Sequence, residues 1–386
     1  MIICIMSDFI IIYRMVDISM KKNIVAIDLF SGCGGTSSGL SKAGIDVRVA
    51  VEINGVAIET YQSNLESHVI HKDISKVKKN ELLNKVNLKD DEALLLVACP
   101  PCQGFSSIGN GDENDLRNQL VFQFVRLVRQ LKPSYLLMEN VAGMSRGKGK
   151  KIFKEVLSQL DSLGYVVKFD ILNSADYGVP QMRKRLVLHG VRKGIYRTMK
   201  RKNIELELPK PTHINPDAKN NPKNLPNWNT AETVFGLPQI EAGEKYESED
   251  IFNHFANGLS DFNKKKMDYI RKNGGSRDCL PEELVLECHK KKTGHNDVYG
   301  IIDINKPAPT MTGGCMSYTK GRFGHPFENR ALSAREAARI QSFEDDFKFI
   351  GTNSDIALQI GNAVPVKLAE ASGKYFQELN KKLCEK

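Results

Sequence analysis

The chain has 386 residues, enough for a substantial core and for two domains. Its 55 Lys and Arg outnumber 46 Asp and Glu, and the resulting +9 favours a polyanionic partner, although an AT-rich genome would also inflate the Lys, Asn and Ile content. Eight cysteines without a framework spacing argue against a disulfide scaffold and for a reducing cytoplasm.

The first residues, MIICIMSDFIIIYRMVDISM, are apolar only in patches, because Asp8, Arg14 and Asp17 interrupt them. No run approaches the roughly eighteen apolar residues of a membrane span. A basic leader and a small-residue cleavage site are also missing, so a signal peptide is not expected. Residues 1–19 are expected to form a poorly ordered extension, with Met20-Lys21-Lys22 as a natural start.

Asn23 to Phe30 reads as a strand running into SGCGGTSSG. Gly32, Gly34 and Gly35 allow a tight turn and close approach to a ligand. A helix from Thr36 to Ala43 comes next, ended by Gly44. Strand, glycine loop and helix describe a nucleotide-type cradle. The dinucleotide fingerprint G-x-G-x-x-G is not met, because Ser37 stands at its third glycine, and this disfavours a nicotinamide dehydrogenase. A second strand, Asp46 to Val51, ends in Glu52, placed to accept hydrogen bonds from ribose hydroxyls. Asp73, after a short strand at 69–71, is a candidate for an adenine amino group. Singly, each carboxylate reads as a surface charge or a cap; at successive strand ends they outline an adenosine pocket.

Leu94 to Val97 is a buried-strand run that breaks into the loop CPPCQGFS. Cys102, on a loop stiffened by Pro100 and Pro101, is a candidate nucleophile. A small buried thiol is the blander reading, and C-x-x-C leaves zinc or redox chemistry open. Zinc would need a second ligand pair, and two prolines between the cysteines are foreign to a thioredoxin-like site. Leu116 to Leu131 then carries an apolar helical stripe. Tyr135 to Met138 is a strand delivering Glu139-Asn140 to the sheet edge that carries Cys102. A Glu desolvated there can stay protonated and act as a general acid. Ile152 to Leu163 is a helix and Tyr165 to Leu172 a strand. Arg183 and Arg185 alternate into a further strand and share a face, suited to carbonyl or phosphate oxygens.

From Pro209 to Pro226 the composition shifts to Pro, Asn and Lys, marking a connection. The region to Pro326 holds lysine runs at 264–266 and 290–292, a Gly313-Gly314 turn and Lys320-Gly321-Arg322. Such runs are usually solvated faces, but with glycine turns and few strong helices they suggest a loop-rich domain that tracks a phosphate backbone. Ser333 to Ser342 is a helix opened by a capping box of Ser333 and Glu336. GNAVP (361–365) precedes a final helix, Val366 to Leu379.

Six blocks, DLFSGCGG (28–35), CPPCQGFS (99–106), ENV (139–141), QMRKR (181–185), RALSAREAARIQSF (330–343) and GNAVP (361–365), stand in the order found in the cytosine-5 DNA methyltransferases. The chain resembles that family, of the prokaryotic restriction-modification type, from about Asn23 to its end. Glu344 departs from the frequent Pro after QSF. The resemblance implies an α/β fold: a Rossmann-like S-adenosylmethionine-dependent methyltransferase sheet with a small target-recognition domain. The catalytic domain would comprise 20–195 and 327–386, and the linker and recognition domain 196–326. The cofactor would contact Phe30, Gly32, Gly34, Glu52, Asp73, Pro100, Leu120, Asn362 and Val364. Cys102 would attack cytosine C6, Glu139 would serve N3, and Arg185, beside Arg183, would hold O2. Gln103, Ser106, Lys320 and Arg322 would contact DNA. Duplex DNA is the implied partner, in a cytoplasmic monomer without a metal and in the setting of a cognate restriction endonuclease. A tRNA methyltransferase of the same chemistry is disfavoured by the absence of Cys-Phe-Thr in the variable region. A non-catalytic DNA-binding regulator is disfavoured because Cys102, Glu139 and Arg185 are all present.

Overall fold

The computed structural model describes residues 21–101, 119–287 and 298–385. Four apolar segments form parallel strands at the centre: β1 (Asn23–Leu29), β2 (Asp46–Glu52), β4 (Glu92–Ala98) and β5 (Tyr135–Val141). β4 is buried along its whole length. That is why it reads as a continuous apolar run rather than an alternation. β3 (His68–His71) pairs beside β2, and β6 (Tyr165–Asn173) and β7 (Lys184–Arg192) extend the other side. The order is β3-β2-β1-β4-β5-β7-β6, with β7 antiparallel to both neighbours. β7 therefore starts at the edge where β1, β4 and β5 end. This inversion brings Arg183 and Arg185 to Glu139.

One face of the sheet is covered by α3 (Lys79–Val86), α4 (Val121–Leu131) and α5 (Lys150–Ser162), which bury Leu82, Phe124 and Val156 against it. The opposite face takes α1 (Gly35–Lys42), α6 (Lys193–Arg201) and the final helix, α10 (Val366–Cys384), through Leu40, Met199 and Phe376. Between α1 and α10 the approach is close: a Cβ on Gly39 would lie 2.3 Å from the Val366 carbonyl oxygen. Gly39→Ala is expected to cost about 1–3 kcal/mol by forcing the helices apart. The readout is a lower denaturant midpoint at unchanged m-value, and an unmoved midpoint would refute the claim.

A third apolar cluster joins Ala231, Val234, Ile302, Met311 and Phe323 to Leu332, Ile340 and Ile360. It ties the variable region to α8 (Ala334–Ile340) and α9 (Asn353–Asn362). The expected capping box opens α8, with the Ser333 hydroxyl accepting from the Glu336 amide and the Glu336 carboxylate accepting from the Ser333 amide. Glu336 also takes two bonds from buried Arg330, which hold its carboxyl far below the ordinary range despite burial.

The variable region departs from its expected looseness at α7 (Asp261–Lys272), a twelve-residue helix running through the first lysine run. Lys266 is not on a solvated face: it is buried, its ammonium 4.5 Å from the Phe262 ring centre and 5.0 Å from that of Tyr299. Cation–π attraction compensates part of the lost hydration. Met267 and Ile270 on the adjacent helix positions mark the same inward side. Helices α2 (Gly55–Asn64), α3, α6 and α9 were likewise not expected from the sequence. The expected extension at 1–19, the loop from Cys102 and the second lysine run lie outside the described residues.

Candidate active site

The carboxyl ends of the parallel strands open into a cleft of about 1200 Å³. That lies just above the roughly 300–1,000 Å³ typical of a small-molecule site. One half is built around the glycine loop. Phe30, immediately after β1, has a φ of 59° and Gly32 one of 54°, which turns the chain sharply across the strand end. A positive φ at a phenylalanine is strained backbone held by its surroundings. Here the Ser31 amide donates to the Val51 carbonyl at 3.1 Å. A Cβ on Gly32 would meet nothing within 4 Å, whereas one on Gly35 would lie 2.7 Å from the Val364 carbonyl. The loop is thus open toward the cleft and closed toward the C-terminal segment.

Glu52 ends β2 and is fixed by three amides: Gly32 donates to Oε2 at 2.8 Å, and Ile53 and Asn54 donate to Oε1 at 2.9 Å each. Oε1 is filled by its two amides, whereas Oε2 keeps acceptor capacity for a hydroxyl. Asp73 caps a short turn, its Oδ1 accepting from the Ser75 hydroxyl and amide at 2.8 Å each, and these bonds lower its pKa. Oδ1 is therefore committed to the turn. Pro100, Leu120, Asn362 and Val364 line the same cavity, together with the exposed side chain of Ile53. All nine residues expected to hold the cofactor converge here except Gly34, which is buried against Tyr61 and Leu65 and shapes the loop from behind.

The other half holds a buried acid–base pair. Glu139, near the end of β5, lies with Oε1 3.0 Å from Nε of Arg185, and both side chains are largely buried. The pair is within ion-pair range but not aligned as a hydrogen bond, so Glu139 Oε1 has no hydrogen-bond partner in the protein. Burial raises the Glu139 pKa, while Arg185 and then Arg183 pull it back. Asn140 points away, its amide donating to the Pro100 carbonyl at 2.9 Å, which clamps the segment after β4 to β5. Cys99 sits beside Thr36, Sγ to Oγ1 3.5 Å, and burial, reinforced by Glu139 and Asp28, raises its thiol pKa well above the usual range.

Arg183 differs from the expectation. Instead of standing free beside Arg185, its guanidinium donates to the carbonyls of Met311 at 2.8 Å, Gly361 at 3.0 Å and Ala363 at 3.1 Å. It is 2% exposed: both terminal nitrogens donate to backbone carbonyls, while Nε is buried without a partner, and the residue still lines the cleft. Lys320 is exposed and half-buried Arg322 packs against Gly300; neither lines the cleft. Cys102, Gln103 and Ser106 lie outside the described residues.

Asn140 and Asp28 were not singled out from the sequence. Asp28 is wholly buried behind the glycine loop, with Oδ2 accepting from Ser37 at 2.7 Å and Oδ1 unpartnered. Burial pushes its carboxyl up to about 7. Its place in the DLFSGCGG block was the available signal. Among the described residues no group of three His, Cys, Asp or Glu side chains is arranged to hold a metal, and no helix is long and apolar enough to cross a membrane.

A doubly wound sheet whose strand ends carry an adenosine-shaped cradle defines an S-adenosylmethionine-dependent methyltransferase fold. The family model for C-5 cytosine-specific DNA methylases matches residues 24–378, and the chain belongs to that family. It is 33% identical over 367 residues to the Type II methylase M.HgiDII of Herpetosiphon aurantiacus, covering 93% of this chain and 97% of the relative. It is 34% identical to the Type II methyltransferase M1.HphI of Haemophilus parahaemolyticus, covering 93% and 88%. Among solved structures, an E. coli prophage protein provisionally assigned as a DNA modification methyltransferase superposes with a TM-score of 0.64 at 26% identity, over 92% of this chain and 99% of that one. The DNMT2 protein of Spodoptera frugiperda shares the fold at a TM-score of 0.58 and 19% identity. The protein is thus a DNA (cytosine-5)-methyltransferase that uses S-adenosylmethionine.

Proposed function

We propose that the chain methylates cytosine in a specific duplex site through a covalent adduct of Cys102, as the modification enzyme of a Type II restriction-modification system. The observation that supports this best is the buried Glu139–Arg185 pair, facing the cofactor cradle across one cleft at the strand ends that lead into the Cys102 loop. S-adenosylmethionine, when bound, supplies an electrophilic methyl group.

Cytosine C5 is a weak nucleophile, and the residues compensate for that. The Cys102 thiolate adds to C6 and pushes electron density toward C5. Negative charge developing toward N3 is met by the Glu139 carboxyl, which donates a proton or strong hydrogen bond. Arg185 holds O2 and orients the ring. After methylation of C5, loss of the C5 proton and expulsion of Cys102 restore the aromatic base. Arg183 acts through backbone rather than on the base. The residues fit the cofactor: Glu52 Oε2 retains acceptor capacity for a ribose hydroxyl, the glycine loop opens toward the cleft, and Ile53 and Leu120 offer apolar contact to adenine.

The target base must leave the duplex, at a cost of roughly a few kcal/mol, and contacts from the recognition domain offset this. We assign that domain, with its linker, to 196–326, the catalytic domain to 20–195 and 327–386, and DNA contacts to Gln103, Ser106, Lys320 and Arg322. We assign no metal, and a cytoplasmic monomer acting beside a cognate restriction endonuclease without a stable protein partner. Labelled S-adenosylmethionine offered with long unmethylated duplex DNA and, separately, with tRNA tests the reading. Label is expected at cytosine C5 of DNA. Label confined to tRNA would overturn the substrate, and label on neither would overturn the activity.

A further inference from the structure

Two segments distant in sequence meet beside the cleft. Residues 310–313 belong to the variable region and line the cleft. Residues 361–364, which include Asn362 and Val364 of the proposed cofactor set, line it as well. They touch with no space between them: a Cβ on Gly361 would lie 2.1 Å from the Thr312 carbonyl carbon and 2.3 Å from the Gly313 nitrogen.

Three buried side chains hold this junction. The Arg183 fork binds Met311 with one terminal nitrogen, and Gly361 and Ala363 with the other. Gln181 accepts from the Met311 amide at 2.8 Å and donates to Gln341 Oε1 at 2.7 Å. Gln341 in turn donates to the Ile360 carbonyl at 2.6 Å and the Ala363 carbonyl at 3.0 Å. A guanidinium buried on carbonyls, with its Nε left without a partner, carries a desolvation cost that an apolar side chain would avoid. What it achieves here is a rigid fork spanning two chain segments, which an ammonium could not reproduce.

We propose that Arg183 is a positioning residue through which DNA engagement at 310–313 and cofactor occupancy at 361–364 strengthen each other. This rests on the reading of the cleft as the shared site of both ligands. A ligand that settles either segment fixes three carbonyls of one hydrogen-bonded unit, so the second ligand meets a segment already ordered. The effect is reciprocal, as linkage requires.

The test measures S-adenosylhomocysteine affinity by calorimetry with and without a long random-sequence duplex, which carries every short site unmethylated. In wild-type protein the duplex is expected to tighten binding by a factor within the roughly 5–150 typical of coupled sites. Arg183→Met is expected to bring that ratio to about one, the uncoupled limit. Arg183→Lys, which keeps the charge but not the fork, is expected to fall between them.

A wild-type ratio of one overturns the coupling. So does a wild-type ratio retained in Arg183→Met, or a parallel loss of thermal stability and both affinities at constant ratio, which is the mark of a merely structural residue. Should Arg183→Met fail to fold, hydrogen exchange on the wild type decides. Duplex alone is expected to slow the amides of Ala363 and Val366, which bond to Gln359 and Gln341 on the cofactor side. Unchanged exchange there overturns the proposal. Wild-type protein that takes up no S-adenosylhomocysteine would fail the cofactor reading itself, and the coupling with it.

Discussion

Cys102→Ala is expected to lower methyl transfer by on the order of 10⁴-fold or more, the scale on which covalent enzymes lose turnover without their nucleophile. Without addition at C6, C5 keeps the low nucleophilicity of an aromatic carbon, and Glu139 and Arg185 have no developing charge to stabilise. Binding should respond differently. The residues proposed to hold the cofactor, Phe30, Gly32, Glu52, Leu120 and Val364 among them, line the cleft and do not include Cys102. The Pro100 carbonyl remains clamped by Asn140. Cofactor and duplex affinity are therefore expected to persist in the variant. Wild-type enzyme should form an adduct with DNA carrying 5-fluorocytosine, stable to denaturation because fluorine blocks loss from C5, and Cys102→Ala should not. Turnover by the variant near the wild-type rate, or an adduct that survives the substitution, would remove Cys102 from the mechanism.

Much of this site was legible because buried parallel strands write themselves as apolar runs, and the residues just past the end of each run stand at the catalytic edge. Glu52 and Glu139 were placed in that way, and the structure puts both on the cleft. The capping box was legible because Ser333 and Glu336 contact each other within one turn. Arg183 was not, because its partners lie 128, 178 and 180 residues away and are backbone carbonyls, which carry no sequence signature. Alternation put it on the face of Arg185, but which oxygens fill that face depends on how the C-terminal segment returns to the sheet. Lys266 was misjudged for a similar reason. A lysine run looks solvated until Tyr299, from beyond the helix, is folded onto it. Contacts between remote segments decide such cases, and local pattern does not report them.

Glu139→Gln should lower kcat by about 10²–10⁴-fold, the usual worth of a positioned acid, while leaving S-adenosylhomocysteine binding intact. Its pH behaviour is the sharper test. Burial favours the neutral carboxyl and raises its pKa, whereas Arg185 and Arg183 oppose that shift. If the protonated acid serves N3, kcat falls as pH rises through the raised value. Glutamine has no proton to lose, so the variant should lack that descending limb. Arg185→Met removes the larger opposing charge and should move the limb to higher pH, on top of its own loss of rate. The same linkage sets the sign of the stability effect. A carboxyl whose folded pKa lies above its unfolded value stabilises the fold fully below the unfolded value, near 4.5, and that contribution is lost as pH rises through the folded one. Denaturant midpoints of Glu139→Gln should therefore gain on wild type as pH rises across that window. A descending limb that persists in Glu139→Gln would assign the titration, and the proton donated to the base, to another group.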